Sequence, residues 1–447
     1  MSTLDQKPTF NLKAVLQETG LKADTLRAWE RRYGLPRPER TAGGHRLYSQ
    51  RDIDTIKWLA ARQGEGMRIS QAVDLWHNLE TDRQDPLQVM EFTTSGAAPA
   101  PISLPEGETM AELRQAWASA CLAFDEPKVN QVQALAYALF PVEAVCLELL
   151  QKGLAELGQG WYRGEVTVQQ EHFASEMVVR RLEALVAATP PSTRPERILI
   201  ACPPQEEHTV SALLLTLLLR RRGWDVLYLG ANVPVGRLEE AIATVGPKLV
   251  ILPAQQLHTA ATTLPMGRLL QAQGIPLAFG GRVFNLLPEL RTRIPGHFLG
   301  ESLDVTPQMV REILPAPPPL PPVQSASHAY QQALAHYRER QALIEAQMWQ
   351  TMKPDGIRLD HLNIANTHLE LNLKAALALG ELDLLKADVD WVAGLVSHHR
   401  LPGNLVPRYL NAYHQAAETH LDERGAPVIT YLAQLSRGKA FPEGRAP

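Results

Sequence analysis

The stretch that most constrains the fold runs from Arg197 to Val233 and reads RILIACPPQEEHTVSALLLTLLLRRRGWDVLYLGANV. Its short β-branched apolar run, Ile198–Ala201, is followed by loop residues, which is typical of a buried strand. The segment Ser211–Arg222 is long enough to be a crossover helix before a second strand at Trp224–Gly230. His208 is therefore predicted to lie in the loop at the carboxyl end of the first strand, where ligands bind in open α/β sheets.

Apolar runs recur at strand spacing through residues 193–314, which we predict to form one α/β domain. The predicted strands are Ile198–Ala201, Asp225–Leu229, Leu249–Leu252, Leu277–Phe279 and His297–Leu299. Helical segments alternate with these strands, and that alternation predicts a doubly wound parallel sheet. A double glycine, Gly280 and Gly281, follows the fourth strand, where a flat ligand can approach bare backbone.

Length and charge limit what the chain can be. Its 447 residues are too many for one ordinary hydrophobic core, so several domains are expected. A formal net charge of −4 gives no global signal for nucleic-acid binding, so a DNA-binding surface has to be local. The three cysteines form no CxxC pair, and we find no leader-like or membrane-spanning apolar run. The expected location is the reducing cytoplasm.

Residues 1–80 carry a local basic pattern. A predicted helix reads TLRAWERRYG, and a glycine-turned segment after it reads RTAGGHRLYS. A basic helix beside a basic wing is what major-groove entry with flanking phosphate contacts requires. The alternative is a solvated basic face on a domain that binds only protein. The candidate DNA-binding residues are Thr25, Arg27, Arg31, Arg32, Arg40, His45, Arg46 and Tyr48.

A proline-bearing linker over residues 81–108 separates this segment from a predicted four-helix bundle over residues 109–192. Near the end of the bundle, Trp161 precedes Glu171 by ten positions, and His172 follows directly. Taken alone, this spacing favours a core tryptophan and a surface Glu–His pair. The alternative is a pocket that presents an aromatic ring, a carboxylate and an imidazole together.

The C-terminal part begins with a proline-rich linker, residues 315–327, and continues as helical patterns over residues 328–440. Apolar residues three and four positions apart indicate a helix-packing seam at Leu382, Leu385, Val389, Val392 and Val396. Histidines are frequent, but they share no metal-binding motif such as HExxH. We favour an oligomerisation or partner-binding bundle; a second sensor pocket for a chromophore such as a tetrapyrrole stays open.

The two basic segments resemble the winged-helix DNA-binding domain of the MerR family over most of residues 8–78. This resemblance implies that Arg27 and its neighbours on the helix enter the major groove, while the wing residues contact the DNA backbone. It also implies an oligomer on a two-fold operator of double-stranded DNA. The family's usual dimerisation coiled coil is not evident after Trp76, so the oligomer contact has to come from another part of the chain.

The Glu206-x-His208 motif and the double glycine resemble the cobalamin-binding module, in which a helical bundle precedes a flavodoxin-like, Rossmann-type sheet. The resemblance implies that His208 is the lower cobalt ligand and that Glu206 accepts the other N–H of the imidazole. Two positions depart from the family pattern. Ser211 replaces a glycine and Pro253 stands where a serine is common, and both changes alter the slot for the nucleotide tail.

The combination of a MerR-like reader, W-x9-EH and this sheet is similar to the CarH/LitR-type light-responsive repressors, which use adenosylcobalamin. In that group the tryptophan covers the upper face of the cofactor and the glutamate contacts the adenosyl group. The histidine takes the upper cobalt position after light breaks the cobalt–carbon bond. The cofactor-binding residues implied are Trp161, Val168, Glu171, His172, Glu206, His208, Ser211, Pro253, Ala254, Gly280 and Gly281.

We therefore expect a mainly α, multidomain protein with one α/β domain: a winged helix, a four-helix bundle, a cobalamin-binding sheet and a C-terminal helical bundle. The expected function is a transcriptional repressor, not an enzyme, with no membrane partner. Its homo-oligomeric state (dimer or tetramer) and operator binding would depend on adenosylcobalamin and its photolysis. The alternatives are a cobalamin-independent MerR-type regulator with a degenerate slot, a regulator governed by another ligand in the C-terminal bundle, and a corrinoid methyl carrier.

Overall fold

The computed structural model describes residues 8–41, 43–64, 67, 69–81, 109–353, 359–399 and 402–437. The chain divides into two compact units, residues 1–104 and residues 105–447. All but the first residue of the predicted linker 81–108 lies outside the described residues. None of the described helices is both long enough and apolar enough to cross a membrane.

The first unit is a small helical domain with a three-stranded antiparallel sheet of order β1-β3-β2. Asn11 caps the first helix by accepting from the backbone N–H of Ala14, and Gly20 ends that helix in a left-handed conformation. The predicted winged helix is confirmed. Its elements are β1 Phe10–Asn11, α1 Leu12–Thr19, α2 Ala23–Tyr33, β2 Glu39–Arg40, β3 Arg46–Tyr48, α3 Gln50–Gly64 and α4 Ile69–Thr81.

The second unit begins with the predicted helical bundle. Its helices are α5 Met110–Leu122, α6 Glu126–Leu139, α7 in three continuous parts (Val142–Ala144, a π-helical Val145–Gln151, and Lys152–Tyr162) and α8 Val168–Ala187. Capping boxes at Thr109 and Thr167 start α5 and α8. Trp161 lies in the last turn of α7.

The α/β domain follows with a parallel sheet of order β5-β4-β6-β7-β8. This is the flavodoxin-like order, which confirms the predicted fold. Ile198 on β4 pairs with Val226 on one side and with Leu249 on the other, so β4 is an interior strand. The elements are β4 Arg197–Ile200, α9 Val210–Arg220, β5 Asp225–Tyr228, α10 Leu238–Val245, β6 Leu249–Pro253, α11 Leu257–Ala272, β7 Leu277–Gly280, α12 Arg282–Leu286, β8 His297–Phe298 and α13 Thr306–Ile313.

The bundle and the sheet are joined by more than chain connectivity, because α8 packs against α9. Arg222, just after α9, donates to both carboxylate oxygens of Glu143 at the start of α7, at 3.0 and 2.8 Å. Such a bidentate pair is geometrically specific as well as attractive. It fixes how the bundle sits on the sheet.

The C-terminal helices are packed onto the α/β domain, which the sequence did not predict. One continuous hydrophobic core contains Phe279 of β7, Leu264 of α11 and residues of the C-terminal helices such as Leu373 and Tyr413. Tyr413 also hydrogen-bonds Tyr337 in the same core. These helices are α14 His328–Met352, α15 Leu359–Leu379, α16 Leu385–His398, α17 Leu405–His420 and α18 Ala426–Arg437.

Candidate functional site: a cobalamin cleft and a DNA reader

The centre of the site is the Glu206–His208 pair in the loop after β4. Glu206 is fully buried, whereas the side chain of His208 is 57% exposed. The Nδ1 atom of His208 lies 2.6 Å from Oε1 of Glu206, and the backbone N–H of His208 donates to the same oxygen at 3.0 Å. The imidazole is thus held by one edge, and its Nε2 faces away from the carboxylate.

Four hydrogen bonds hold the Glu206 carboxylate. Its second oxygen, Oε2, accepts from the backbone N–H of Gln255 and from the hydroxyl of Thr259, both at 2.7 Å. Burial by itself raises the pKa of Glu206, but these bonds outweigh it and the pKa falls below the ordinary value. Because the group is an anion, it keeps the proton of His208 on Nδ1, which leaves Nε2 as a free donor atom for a metal.

The pKa of His208 is raised, chiefly by its hydrogen bond to Glu206, against a lowering by burial. The negative charge of Glu171, on the bundle helix α8, contributes to the same rise. Glu171 lies on α8, which packs against α9, the helix that begins two residues after His208. Both residues are therefore at the junction of bundle and sheet, which we call the cleft. We call the His208 loop the sheet wall of the cleft and the start of α8 the bundle wall. The sequence could connect these two walls only by resemblance.

The bundle wall presents the three residues of the W-x9-EH pattern. The Glu171 carboxylate accepts from Ser175 at 2.8 Å, and its Oε2 lies 3.6 Å from Nδ1 of His172. The His172 side chain is 82% exposed, so its ring is free to turn toward the cleft. Trp161 is half-buried at the end of α7, and Val168 is exposed at the start of α8.

The loop after β6 holds a residue that the sequence analysis missed. Nε2 of Gln255 donates to Oγ of Ser211 at 2.7 Å, and Oε1 of Gln255 accepts from the backbone N–H of Arg282 at 3.0 Å. The side chain of Gln255 therefore crosses from the start of α9 to the loop after β7. Gly281 has φ +113°, and a Cβ there would lie 2.1 Å from the carbonyl oxygen of Ala254.

Pro253 and Ala254 are buried at the end of β6, and Pro253 pairs with Gly280 on β7. The slot expected for the nucleotide tail is thus lined on these sides by buried backbone. The side-chain amide of Gln255 lies in this slot, next to Ser211. The sequence feature that could have indicated Gln255 is its place two residues after the end of β6. For Thr259, it is the threonine-rich run that begins α11.

These residues fit a corrinoid. A half-exposed imidazole, held by a buried carboxylate, is a suitable cobalt ligand on one wall, and an aromatic ring with an exposed imidazole stands on the other. The amide of Gln255 is flexible and makes only two hydrogen bonds, which polar groups of a nucleotide tail can replace. Among the described residues, no three histidine, cysteine or acidic side chains converge to hold a metal ion by themselves.

The DNA reader in the first unit presents most of its basic residues to solvent. Arg27, Arg31 and Arg32 are exposed on α2, and Thr25 is half-buried there. In the wing, Arg40 and His45 are exposed. A basic helix and a basic wing thus lie on one small domain, as major-groove binding requires.

Two wing residues differ from the expectation. Tyr48 is fully buried, and its hydroxyl donates to Glu30 of α2, so the ring is not placed to contact the DNA backbone. Arg46 is half-buried and donates to the other oxygen of Glu30 at 2.7 Å. Burial of the tyrosine ring in the apolar core is favourable, because its hydroxyl keeps a hydrogen bond to Glu30. The two residues fasten the wing to the helix in this structure.

Three segments of the chain match known families. Residues 10–78 match the MerR HTH family of regulatory proteins, and residues 113–186 and 196–308 match two B12 binding domain models. The chain is 32% identical to the HTH-type transcriptional repressor CarH of Myxococcus xanthus over 298 residues, which are 66% of this chain and 96% of CarH. The chain belongs to the CarH family of HTH-type transcriptional repressors.

A second member, the repressor CarA of Myxococcus xanthus, is 32% identical over 246 residues, 55% of this chain and 76% of CarA. The structure is also similar to the monomethylamine corrinoid protein of Methanosarcina barkeri, with a TM-score of 0.40 and 17% identity, over 46% of this chain and 100% of that one. The fold assignment does not depend on that structural likeness. As a member of the CarH family, the protein is a DNA-binding, cobalamin-binding transcriptional regulator and not an enzyme.

Proposed function

We propose that the protein is a repressor whose oligomeric state and operator binding are controlled by adenosylcobalamin and by light. The observation that carries the proposal is the facing pair of walls: Glu206 and His208 on the sheet, with Glu171 and His172 on the bundle. When bound, adenosylcobalamin supplies a cobalt–carbon bond that light breaks. The chain supplies the groups that hold the two faces.

Each wall has a distinct task. His208 would hold the lower face through Nε2, because Glu206 keeps the proton on Nδ1. Trp161 would cover the upper face, and Glu171 would contact the adenosyl group there. His172, whose side chain is 82% exposed, would be the imidazole available to cobalt from the bundle side.

Control of DNA binding follows if the two walls are spaced differently with and without the upper group. The cofactor would have to stabilise the DNA-competent assembly relative to the other assembly. A shift of that equilibrium from 1:99 to 99:1 takes about 5.5 kcal/mol. The assembly would be a homodimer or homotetramer, since a two-fold operator needs at least two readers. The functional domains would be residues 1–80, 109–192, 193–314 and 328–440.

A second candidate is a cobalamin-independent repressor of the same family. The hydrogen bonds of Gln255 to Ser211 and to the backbone of Arg282 favour it, because they close the expected slot. The two candidates differ in what the protein retains. If the slot opens, protein mixed with adenosylcobalamin in darkness keeps the corrin through desalting.

The test is size-exclusion chromatography of dark-loaded protein before and after green light, read at protein and corrin wavelengths. We expect corrin to co-elute with protein in the dark and the elution volume to change after illumination, with a parallel loss of operator binding. His208→Ala should lose the corrin, and His172→Ala should keep it in the dark but give a less stable illuminated product. Failure of the wild type to retain corrin would establish the cobalamin-independent candidate, and retention with an unchanged elution volume would refute the light switch.

A further inference from the structure

The C-terminal helix α16 touches the residue that would cover the cofactor. The ring of Trp391 lies 5.6 Å from the ring of Tyr162, with planes 24° apart, and 6.1 Å from the ring of Trp161. Nε2 of His399, just after α16, donates to the backbone oxygen of Trp161 at 3.2 Å. Aromatic pairs at these separations attract each other beyond their buried area. The C-terminal helices thus hold Trp161 by its ring and by its backbone.

This contact is built for close approach. A Cβ on Gly394 of α16 would lie 1.9 Å from the hydroxyl oxygen of Tyr162, so a side chain there would have to displace the tyrosine ring. On the bundle side, a Cβ on Gly164 would lie 3.3 Å from the backbone oxygen of His398, and Gly164 has φ +73°. Two surfaces that carry matching glycines at the point of contact are shaped to each other.

The other end of α16 is held by α15. Asp388, in the first turn of α16, accepts from Nε2 of His368 at 2.9 Å and from Nδ2 of Asn372 at 3.1 Å. α15, which carries His368 and Asn372, packs against α11, where the hydroxyl of Thr259 donates to Glu206. α16 is therefore connected through α15 to the helix that holds the Glu206 carboxylate.

We propose that through Trp391 of α16 the C-terminal domain positions Trp161 at the cobalamin cleft. This inference rests on the proposed function. Because linkage is reciprocal, if docking of α16 strengthens cofactor binding, cofactor binding strengthens docking of α16 by the same free energy. Docking of the C-terminal domain would then respond to the group bound on the upper face of the cofactor.

The test compares full-length wild type with Trp391→Ala, Trp391→Phe and a matched control, Trp349→Ala. Trp349 is a half-buried tryptophan of α14 in the same domain. The first measurement needs no cofactor: amide hydrogen exchange of residues 161–166 and 394–399. We expect faster exchange in both segments for Trp391→Ala, restoration by the phenylalanine variant, and no change there for the control.

The second measurement is the rate of corrinoid release in the dark, for adenosylcobalamin and for hydroxocobalamin. Trp391→Ala should release adenosylcobalamin about tenfold faster, in the range of ordinary coupling between sites, and hydroxocobalamin less than about twofold faster. Trp391→Phe should restore the rate. This selectivity for the large upper group separates a positioning role from a general loss of stability.

Each contrary result points to a different error. Unchanged exchange in Trp391→Ala would overturn the contact itself. Faster exchange with equal effects on both corrinoids would overturn the role of Trp391 in positioning Trp161. If the wild type retains no corrinoid at all, the proposed function fails and the coupling fails with it, while the exchange data still show whether α16 is docked on the bundle.

Discussion

Replacing Glu206 by glutamine is the sharpest perturbation of the site, because it keeps the shape of the side chain and removes its charge. Oε1 of Glu206 accepts from the backbone N–H and Nδ1 of His208, and Oε2 accepts from Gln255 and Thr259. An amide has one accepting oxygen, so it can serve only one of these two pairs. The other pair then meets an NH2 group, which cannot accept.

The magnitude follows from what is lost. If the amide oxygen stays on the side of Gln255, the backbone N–H of His208 is left without its acceptor, which costs about 1–3 kcal/mol of stability. The NH2 group can donate to Nδ1 of His208 and move the ring proton to Nε2. That tautomer cannot bind cobalt until the proton moves back. Changes to a group that orients a metal-bound histidine cost about 10- to 100-fold in affinity, or about 1.4–2.7 kcal/mol.

The assay is the equilibrium affinity for hydroxocobalamin by corrin absorbance, together with the thermal unfolding midpoint of the ligand-free protein. Glu207→Gln is the matched control, because it makes the same change one position later on an exposed side chain. A direct signature is the electron paramagnetic resonance spectrum of the reduced cob(II)alamin complex. The wild type should show splitting by a nitrogen from the protein, and Glu206→Gln should weaken it. Wild-type affinity and splitting in Glu206→Gln would refute the claim that the carboxylate sets the tautomer of His208.

Three further predictions concern other parts of the chain. Gln255→Ala should remove the side chain across the expected slot and speed association of cobalamin several-fold, while association of cobinamide, which lacks the nucleotide tail, stays unchanged; equal effects on both corrinoids, in stopped-flow absorbance, would argue against a slot. Arg40→Ala should weaken binding to all DNA sequences alike and lower the slope of log K against log salt by about 0.9, and a slope equal to the wild type would remove Arg40 from the phosphate contacts. Burial lowers the pKa of His368, but the hydrogen bond and charge of Asp388 outweigh it and raise the pKa above 6.5. The wild type should therefore exceed His368→Gln in unfolding stability fully below about pH 6.5 and lose that advantage as the pH rises through the raised value, and a difference independent of pH in chemical denaturation would contradict this.

The sequence by itself determined the local units. The β-branched run before Glu206 and the apolar helix after it placed His208 at the carboxyl end of a parallel strand, because strand and helix periodicities are properties of neighbouring residues. The basic helix carrying Arg27 and the exposed Arg40 of the wing were found for the same reason. The alternation of strands and helices also predicted the parallel sheet that the structure shows, since few arrangements fit that alternation.

Only the tertiary structure decided which residues meet across these units. The ring of Tyr48 is buried because it packs in the hydrophobic core of its domain, where Glu30 accepts a hydrogen bond from its hydroxyl. Gln255 crossed to Ser211, and His399 reached the backbone of Trp161 from 238 positions away. No local pattern encodes such contacts, because they depend on how the packed faces of distant helices and strands come together and which polar groups are left to be satisfied.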